Sequence, residues 1–425
     1  MYSYTSRMIG ALLVAALALG AAPARAETPN VERILSAVTN PSPGSIAVIA
    51  RQLVELGPAA DTKLFEALAH ELSLGHQEPS ARTTVMLAAF ELMGPGRWRT
   101  VLTSKMDAAP ASSAIAALFA VSGQAGNGDD LPLMFYAAGY DPEGDHRSEF
   151  EAATTRILLH DPAAFNVVDS AVQTLVPEIR SSLVRALEKT KKPVAARLLA
   201  RWIETRREMR LECLPYLSRL SLSLDRPLPV EVTGPVRALV ESGDETTLRE
   251  AVVCIGRLVD WDAIPALIRC MKDGDYGMRK DALWALRNMT GLKLSETPTE
   301  WSKWFESEVR WWSVESRKAF TALVHGSKAD KVATLRAVNL LHAWRERAAS
   351  EIAIALDDVD TDIALLTVAE LQRLDSKAAV PALVDALFGG RLEVATAAHA
   401  ALESITRREL PEEPLACREL LFPGS

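Results

Sequence analysis

One stretch of this chain, residues 264–305, occurs twice. A shift of 116 residues aligns it with residues 380–421 without a gap, and eleven of the 42 aligned residues are identical. The identical positions include Pro265 and Pro381, near the start of each copy. A duplicated segment of this length is typical of a module that buries its apolar face only by stacking on its neighbours. The chain is therefore expected to consist of stacked repeats.

Within the duplicated stretch, the apolar residues indicate two helices. Two sets of them each lie on one face of a helix with a period of 3.6 residues: Ile264, Leu267, Ile268 and Met271, then Met278, Ala282, Ala285 and Met289. The polar turn 273–275 separates the sets, and Asp275 is placed to cap the second helix with its carboxylate. Pro265 and Pro381 lie in a first helical turn, where a missing amide proton costs nothing. Each unit therefore reads as two antiparallel helices joined by a tight turn.

A shorter shift supports the same fold. Displacing the chain by 31 residues places the apolar set around Ala251 and Ile255 on the set around Ala282 and Leu286. Helix pairs thus recur at about the length of one pair, and signals for strands are nearly absent. The sequence predicts an all-α fold, an α-α superhelix or solenoid of stacked antiparallel helix pairs.

The run IPALI…DGD…RKDALWALRNMTG resembles the HEAT-repeat family, in particular the short bacterial form also seen in bilin-lyase-type repeats. The resemblance covers two modules, residues 229–305 and 346–421. It implies a HEAT-like α-solenoid of an exported bacterial form, which would offer an extended surface to partner proteins. It implies no particular activity, because repeats of this kind are specific for a fold and not for a chemistry.

The two halves of the chain differ in regularity. Residues 27–228 are expected to form irregular helical repeats, and residues 229–425 to form HEAT-like repeats with a Trp-rich spacer at 306–345. Helical periodicity in the first half is clearest in the segments 45–56, 63–74, 80–92, 111–122, 147–159 and 181–188. The stretch 225–235 reads as the seam between the halves, a joint in one solenoid, because it lacks the Gly/Ser bias of a flexible linker.

Residues 1–26 read as a secretory signal peptide. Arg7 supplies a positive start, residues 9–22 form an apolar run, and Ala24-Arg25-Ala26 is a small-x-small cleavage site. The run is short for a membrane span, so cleavage near Ala26 is expected rather than anchoring, and no membrane-spanning segment is expected in the mature chain. The sequence therefore predicts an exported protein, periplasmic or extracellular after cleavage.

Removing the signal leaves a net charge of −10, which argues against bulk binding of nucleic acid. Against this acidity, residues 180–210 carry a net charge of +7. Two interpretations fit: a surface that steers an anionic partner, or the solvated side of two amphipathic helices whose arginine stems cover apolar surface. The arginines that would contact a partner are Arg180, Arg185, Arg197, Arg201 and Arg207.

Six of the nine tryptophans lie within 61 residues, between Trp284 and Trp344. An exposed aromatic patch stacks on sugar rings or holds a peptide, and this patch would consist of Trp301, Trp304, Trp311 and Trp312. The second interpretation is packing between modules, which we favour because Trp301 and Trp304 align with Cys417 and Leu420 of the second copy.

The sequence offers little for catalysis. The nucleophile, phosphate and zinc motifs GxSxG, P-loop, GxGxxG and HExxH are missing, and the seven histidines show no i, i+3 or i+4 pair. No catalytic residue, cofactor or metal ligand is therefore predicted. The acidic run 358–362 mimics the start of a calcium loop but lacks the required glycine and bidentate glutamate, so Asp360 is expected to cap a helix.

The four cysteines, Cys213, Cys254, Cys270 and Cys417, permit three disulfide connectivities in an exported chain. Buried free thiols are the simpler interpretation, because Ala285 and Ala386 take the places of Cys254 and Cys270 in the repeat alignment.

On its sequence alone, the chain is expected to be an exported scaffold that binds another protein and has no catalysis of its own. The alternative is a ligand-binding or accessory module of a cell-envelope system, with the tryptophan cluster holding a glycan or a peptide. The sequence does not identify the partner or the oligomeric state.

Overall fold

A computed structural model describes residues 30–75, 78–106 and 110–422 of the chain. Within these ranges the regular structure is helical, and no described residue lies in a strand. The predicted all-α fold is confirmed. The described residues divide into two compact units, those of 30–126 with 133–153, and those of 127–132 with 154–422. The predicted signal peptide, residues 1–26, lies outside the described residues, so its cleavage and the export of the chain stay predictions.

Six helices belong wholly to the first unit: α1 Val31–Ser36, α2 Pro43–Glu55, α3 Pro58–Ser73, α4 Ala81–Met93, α5 Pro95–Met106 and α6 Ser112–Ala125. Two more supply residues to both units: α7 Leu131–Ala138 and α8 Arg147–His160. In the first unit α2, α4 and α6 pack in succession, and α1, α3 and α5 do the same. The unit is therefore built from two rows of helices.

The second unit holds the remaining helices: α9 Ala164–Ala171, α10 Pro177–Lys189, α11 Pro193–Thr205, α12 Arg210–Leu220, α13 Val230–Ser242, α14 Leu248–Leu258, α15 Ile264–Asp273, α16 Tyr276–Thr290, α17 Pro298–Arg310, α18 Ser316–His325, α19 Lys328–Asn339, α20 Arg345–Ile352, α21 Thr361–Leu374, α22 Val380–Leu387, α23 Leu392–Thr406 and α24 Pro414–Leu421. Here α9, α11, α13, α15 and α17 form one row, while α10, α12, α14 and α16 form the other. Hairpin partners such as α15 and α16 contact each other across the rows, which is the arrangement of an α-solenoid.

The duplication seen in the sequence recurs in the structure. Helices α16 and α23 are both 15 residues long and begin 116 residues apart. Each ends on a left-handed residue, Gly291 with φ 74° and Arg407 with φ 55°, again 116 residues apart. The Asp275 carboxylate accepts the backbone N–H of Met278 at 2.7 Å, which confirms the predicted helix cap.

Helices in the irregular half are predicted less completely. The six predicted segments all correspond to helices, but the segments leave out α1, α5, α7, α9, α11 and α12. The helix α5 is missed because Gly94-Pro95-Gly96 reads as a breaker. In the structure Gly94, with φ 81°, precedes the helix, and Pro95 is its first residue. A proline at that position begins a helix rather than ending one.

The predicted seam at residues 225–235 lies inside the second unit, and α11 and α13 pack side by side across it. Its second half is already helical, because α13 begins at Val230. The stretch 306–345, predicted as a spacer, holds the helix pair α18 and α19 after a π-helical turn at Trp311–Glu315. The aromatic-rich stretch is thus a module of the stack.

Two contacts join modules that are far apart in sequence within the second unit. The Trp261 Nε1 donates to Glu346 at 3.1 Å, and Lys377 pairs with Asp225. A solenoid in which each repeat touches only its neighbours does not predict such contacts. They join the turn before α15 to α20, and the loop before α13 to the turn before α22.

All four cysteines are free thiols, with Cys213, Cys254 and Cys417 buried and Cys270 half-buried. Burial raises the pKa of the Cys213 and Cys254 thiols well above the ordinary value. Cys254 occupies the interior position of α14 that Ala285 occupies in α16, as the 31-residue shift predicts. These thiols therefore act as small apolar fillers.

Candidate functional site

A groove with a volume of about 990 Å³ runs along the row of α9, α11 and α13 in the second unit. It is lined by Phe165, Asn166, Val194, Arg197, Leu198, Arg201, Ile203, Glu204, Arg210, Val230, Glu231, Gly234, Pro235, Ala238, Leu239 and Ser242. Two of the arginines singled out from the sequence, Arg197 and Arg201, belong to this lining. The groove therefore contains part of the positively charged segment that the sequence singled out.

The floor of the groove is apolar. Phe165, Leu198 and Leu239 form it, and each is buried against the core on its other side. At its edges Val194 and Val230 are 37% and 62% exposed. Aliphatic side chains that stay exposed beside a buried apolar floor offer surface that a partner can cover.

Two simple periodicities explain why these residues share a surface. On α11, Val194, Arg197, Leu198 and Arg201 fall at i, i+3, i+4 and i+7, so they form one stripe. On α13, three of the lining residues are small and recur every fourth position: Gly234, Ala238 and Ser242. Small side chains on one wall leave the space that the groove occupies.

The space at Gly234 is open. Apart from its two chain neighbours, a Cβ atom built on this residue would meet nothing nearer than the Val230 Cγ2 at 3.6 Å, an ordinary van der Waals contact. Because Gly234 also lines the groove, we expect a larger side chain at this position to extend into it. Gly234 is the natural position for a variant that fills the groove.

Arg201 is held by a carboxylate beside the groove. Its Nη2 lies 2.5 Å from the Asp169 Oδ2, and the Trp202 Nε1 donates to the other oxygen of Asp169 at 2.8 Å. Arg206 lies 3.8 Å from the same carboxylate. Asp169, on α9, thus balances much of the positive charge at the end of α11.

Arg210 is balanced in the same way by Asp244, at 3.3 Å. Hydrogen bonds from Thr246, chiefly from its hydroxyl at 2.7 Å, hold the pKa of Asp244 below its ordinary value, and Arg207 and Arg210 lower it further. Asp244 is thus kept ionised beside the groove. Sequence positions more than 30 residues apart make these pairs, so the sequence alone did not suggest them.

Arg197 differs from its neighbours. Within the described ranges its guanidinium forms no ion pair or hydrogen bond, and Glu204 and Glu231 also have no such partner there. Arg197 and Glu204 lie on the same helix, seven residues apart. The groove therefore exposes one uncompensated cation and two uncompensated anions around an apolar floor.

The other candidate arginines lie elsewhere. Arg180 lies 3.8 Å from Glu208, and Arg185 donates to the Ser182 hydroxyl at 2.9 Å; both arginines are on α10. Arg207 is exposed in the short 3₁₀ turn before α12. The structure thus brings Arg197 and Arg201 together at the groove and leaves Arg180, Arg185 and Arg207 outside its lining. Whether any of the five binds a partner stays a prediction.

The tryptophan cluster is packed into the second unit. Trp301 is fully buried and donates to the Ser295 carbonyl at 3.0 Å, while Trp311 and Trp312 are 9% and 8% exposed. Trp301 and Trp304 meet edge to face at 5.8 Å. Trp304 is half-buried. Buried rings of this kind fill space between helices, and their role as a binding patch stays an untested prediction.

Beside the cluster lies a buried carboxylate, Glu308, that the sequence did not reveal. It accepts the backbone N–H of His342 at 2.9 Å and of Ala343 at 3.3 Å, and the Trp304 Nε1 donates to it at 3.1 Å. Burial raises the pKa of Glu308, although these hydrogen bonds oppose the shift. Glu308 holds the turn before α20 against α17.

The carboxylates of the acidic run 358–362 form a helix cap and ion pairs. Asp360 caps α21 by accepting the N–H of Asp362 at 2.9 Å, as predicted from the sequence. Lys331 lies 2.5 Å from Asp358, and Lys328 lies 2.8 Å from Asp360. Among residues 30–75, 78–106 and 110–422, no group of three or more His, Cys, Asp or Glu side chains is placed to hold a metal ion.

None of the helices in the described part of the chain is both long enough and apolar enough to cross a lipid bilayer.

Comparison with known proteins locates the repeat. Residues 261–291 match the family model of the Armadillo/beta-catenin-like repeat, and they comprise the turn before α15 together with α15 and α16. Among solved structures, the chain is similar to one described as "Circular tandem repeat protein with novel repeat topology and enhanced subunit contact surfaces". The identity is 14%, the match covers 90% of this chain and 88% of that one, and the TM-score is 0.17, too low to indicate a shared arrangement. No curated protein matches this chain.

The armadillo match and the stacked hairpins support the same fold. The matched segment covers a small part of the chain, so the bilin-lyase-type HEAT resemblance and the exported bacterial form stay predictions. The helix rows, the duplicated hairpin and the matched segment together establish the fold class: the chain is an all-α repeat solenoid that contains a segment similar to an armadillo repeat.

Proposed function

We propose that this protein is a scaffold that binds another protein through the groove between α11 and α13. The observation that supports the proposal most is the apolar lining of the groove, in which the buried Phe165 and Leu198 lie beside the exposed Val194 and Val230 and the uncompensated Arg197. Partner surfaces bury an apolar centre and surround it with polar groups, and this groove has that composition. Repeat solenoids commonly present such surfaces.

A protein segment suits the groove better than a small molecule does. Sites for small molecules enclose their ligand and bring a few polar groups together on it. Here the charged groups are spread along the rim, with Arg197 and Glu204 seven residues apart on α11, which is about 10 Å along a helix. A ligand that meets both has to reach over about 10 Å, as a segment of a protein does.

No catalysis is part of the proposal. Among the described residues, the charged groups of the groove are arginines and glutamates, and no histidine or cysteine lines it. A general base or nucleophile beside a second titratable group that orients it is the usual basis for proposing an active site. The groove offers apolar contact and charge, which suit binding.

The test uses two variants at one position. Gly234→Phe fills the groove and Gly234→Ala leaves it open, while both replace glycine by a better helix former. We expect proteins crosslinked to the full chain in its native cells to be retained by Gly234→Ala and reduced at least about tenfold by Gly234→Phe. Unfolding midpoints of both variants check that the fold is intact. A partner retained equally by Gly234→Phe contradicts the proposal.

We also propose that the scaffold acts outside the cytoplasm, in the periplasm or the medium. The apolar run at residues 9–22 and the small residues around Ala26 support this. Mass spectrometry of the intact protein from fractionated cells tests it, and we expect a chain that begins at Glu27. A full-length chain confined to the cytoplasmic fraction contradicts it.

A further inference from the structure

We infer that the segment bound in this groove is an amphipathic α-helix of the partner protein, with a carboxylate facing Arg197 and a basic side chain facing Glu204. The inference rests on the function proposed above and specifies the kind of partner. It is supported by the length of the groove, by the chemistry of its walls and by the charges that the described residues leave uncompensated.

The length of the groove suits a short helix. The lining of α11 runs from Val194 to Glu204, and ten residues of helix span about 15 Å. This corresponds to roughly three turns of a partner helix at 5.4 Å per turn. Three turns place two or three apolar side chains, at i, i+3 or i+4 and i+7, over the floor made by Phe165, Leu198 and Leu239.

The walls of the groove favour a helix over an extended strand. The lining residues belong to α9, α11 and α13 and to the chain around Arg210, and backbone N–H and C=O groups within a helix already pair with one another. An extended peptide buried there would lose its hydrogen bonds to water without replacement, which is costly. A helix satisfies its own backbone. Strand addition needs an open sheet edge, and the described residues contain no strand.

The charges select the pattern on the partner. Arg197 and Glu204 lie two turns apart on one face of α11, and Arg201 between them is paired with Asp169. A partner helix therefore complements α11 when its own acidic and basic side chains are two turns apart, with apolar residues between them. Leaving either charge of α11 opposite a like charge would weaken the complex.

A second copy of this chain is a poorer occupant. Its α11 carries the same Arg197 and Glu204 spacing, but that helix packs against α10, α12 and α13 within its own stack. A helix held in a stack cannot enter the groove of another molecule. A free helix of a different protein has no such restriction.

Four soluble 18-residue peptides serve as probes. All four carry leucines on one helical face. The first has Glu and Lys two turns apart, the second and third have two Lys or two Glu, and the fourth is the first with a central proline. Affinities for the full chain are measured by fluorescence anisotropy. We expect the Glu/Lys peptide to bind about threefold to tenfold more tightly than the Lys/Lys and Glu/Glu peptides, since exposed ion pairs have modest effects.

Variants of the protein give the matched controls. Arg197→Glu, which leaves the Asp169 pair intact, should make Lys/Lys the preferred peptide. Gly234→Phe should weaken every peptide at least tenfold, and Gly234→Ala should not. The proline peptide should bind at least tenfold more weakly, because proline breaks the helix.

Each failure has a distinct meaning. Equal binding of the proline peptide overturns the helix but leaves the proposed protein-binding function standing. An unchanged peptide preference in Arg197→Glu overturns the charge pattern. Peptide affinities that are unchanged in Gly234→Phe overturn both the inference and the assignment of the groove as the binding site. Self-association of the chain that Gly234→Phe abolishes would assign the groove to a second copy and overturn the inference.

Discussion

Gly234 in α13 and Gly256 in α14 lie in adjacent helices of one hairpin, and their surroundings are opposite. Outside its two chain neighbours, a Cβ at Gly234 would have the Val230 Cγ2 as its nearest contact, at 3.6 Å. A Cβ at Gly256 would lie 2.6 Å from the Ala285 Cβ and 2.8 Å from the Ala285 Cα, closer than side chains come. Gly234 leaves a groove open between α11 and α13, whereas Gly256 lets α14 and α16 touch.

The difference shows that the two rows of the stack have different roles. In the row of α14 and α16, contact is so close that the Asn288 side chain reaches the Gly256 carbonyl at 3.1 Å. Such packing resists changes of volume and sets the spacing of the modules. In the other row, the corresponding pair of helices, α11 and α13, borders a groove of about 990 Å³ that no side chain fills. At these positions one row is closely packed, and the other leaves the groove that we propose as the binding site.

The largest effect is expected from overpacking the closed row. Gly256→Val places three carbon atoms where even one collides with Ala285, so α14 and α16 must move apart. We expect a loss of roughly 3 kcal/mol in the free energy of unfolding, at the upper end of the range for overpacked cores. Urea unfolding followed by circular dichroism measures it. A variant as stable as the natural chain would show that the two rows do not differ in this way.

Alanine at the two glycines sharpens the comparison, because the same change should have different costs. At Gly256 the single methyl collides with Ala285, and we expect a loss of about 1–2 kcal/mol. At Gly234 the methyl meets no atom outside the adjacent residues closer than 3.6 Å. The better helix propensity of alanine there is opposed by its contact with the ring of the following Pro235, so we expect a change of less than about 0.5 kcal/mol. Both are read from unfolding midpoints in urea. Equal losses at the two positions would contradict the assignment of one closed and one open row.

A pH effect of smaller size is expected at the joint after the closed row. The last carbonyl of α16, at Thr290, accepts from Arg345 at 2.6 Å and lies 3.2 Å from the His342 Nδ1. Burial lowers the pKa of His342, and the nearby Arg345 and Arg373 lower it further.

The lowered pKa of His342 fixes the direction in which the stability of the fold changes with pH. Below its ordinary pKa of about 6.5 the imidazole is protonated in the unfolded chain before it is protonated in the folded chain, so stability falls as the pH drops through that value. Above it, this contribution to stability is complete. We expect His342→Gln to lose less stability than the natural chain between about pH 7 and pH 5.5, as measured by melting temperature. Equal losses would mean that His342 titrates as it does in the unfolded chain.

The smallest effect is expected from ligands of the tryptophan cluster. Trp301 has no exposed surface, and Trp311 and Trp312 have little, so a sugar ring finds few open faces on which to stack. Cell-wall oligosaccharides at about millimolar concentration should leave the tryptophan fluorescence unchanged. A saturable change, absent from a Trp304→Leu variant, would instead favour the alternative function of a glycan-binding module and would move the binding surface away from the groove.

The helix pairs could be predicted from the sequence because their determinants are local. The apolar period, the cap at Asp275 and the proline at position 265 each act within about four residues, and the shift of 116 residues repeated them. The helix α5 escapes prediction for a local reason, since a glycine before a proline precedes a helix as well as ending one. The charge excess at residues 180–210 drew attention to Arg197 and Arg201, which line the groove, and their role in binding a partner stays a prediction.

By itself, the sequence determined that this chain folds into stacked helix pairs, and it pointed to the region that carries the groove. The tertiary structure decided which neighbouring helices leave a groove between them and which arginine keeps its charge uncompensated. Both depend on residues from different helices: Asp169 pairs with Arg201 and leaves Arg197 free, and Ala285 faces Gly256 while nothing fills the space at Gly234. The spacing of two helices is set by the side-chain volumes of both facing surfaces together, and the period of one helix does not contain that information.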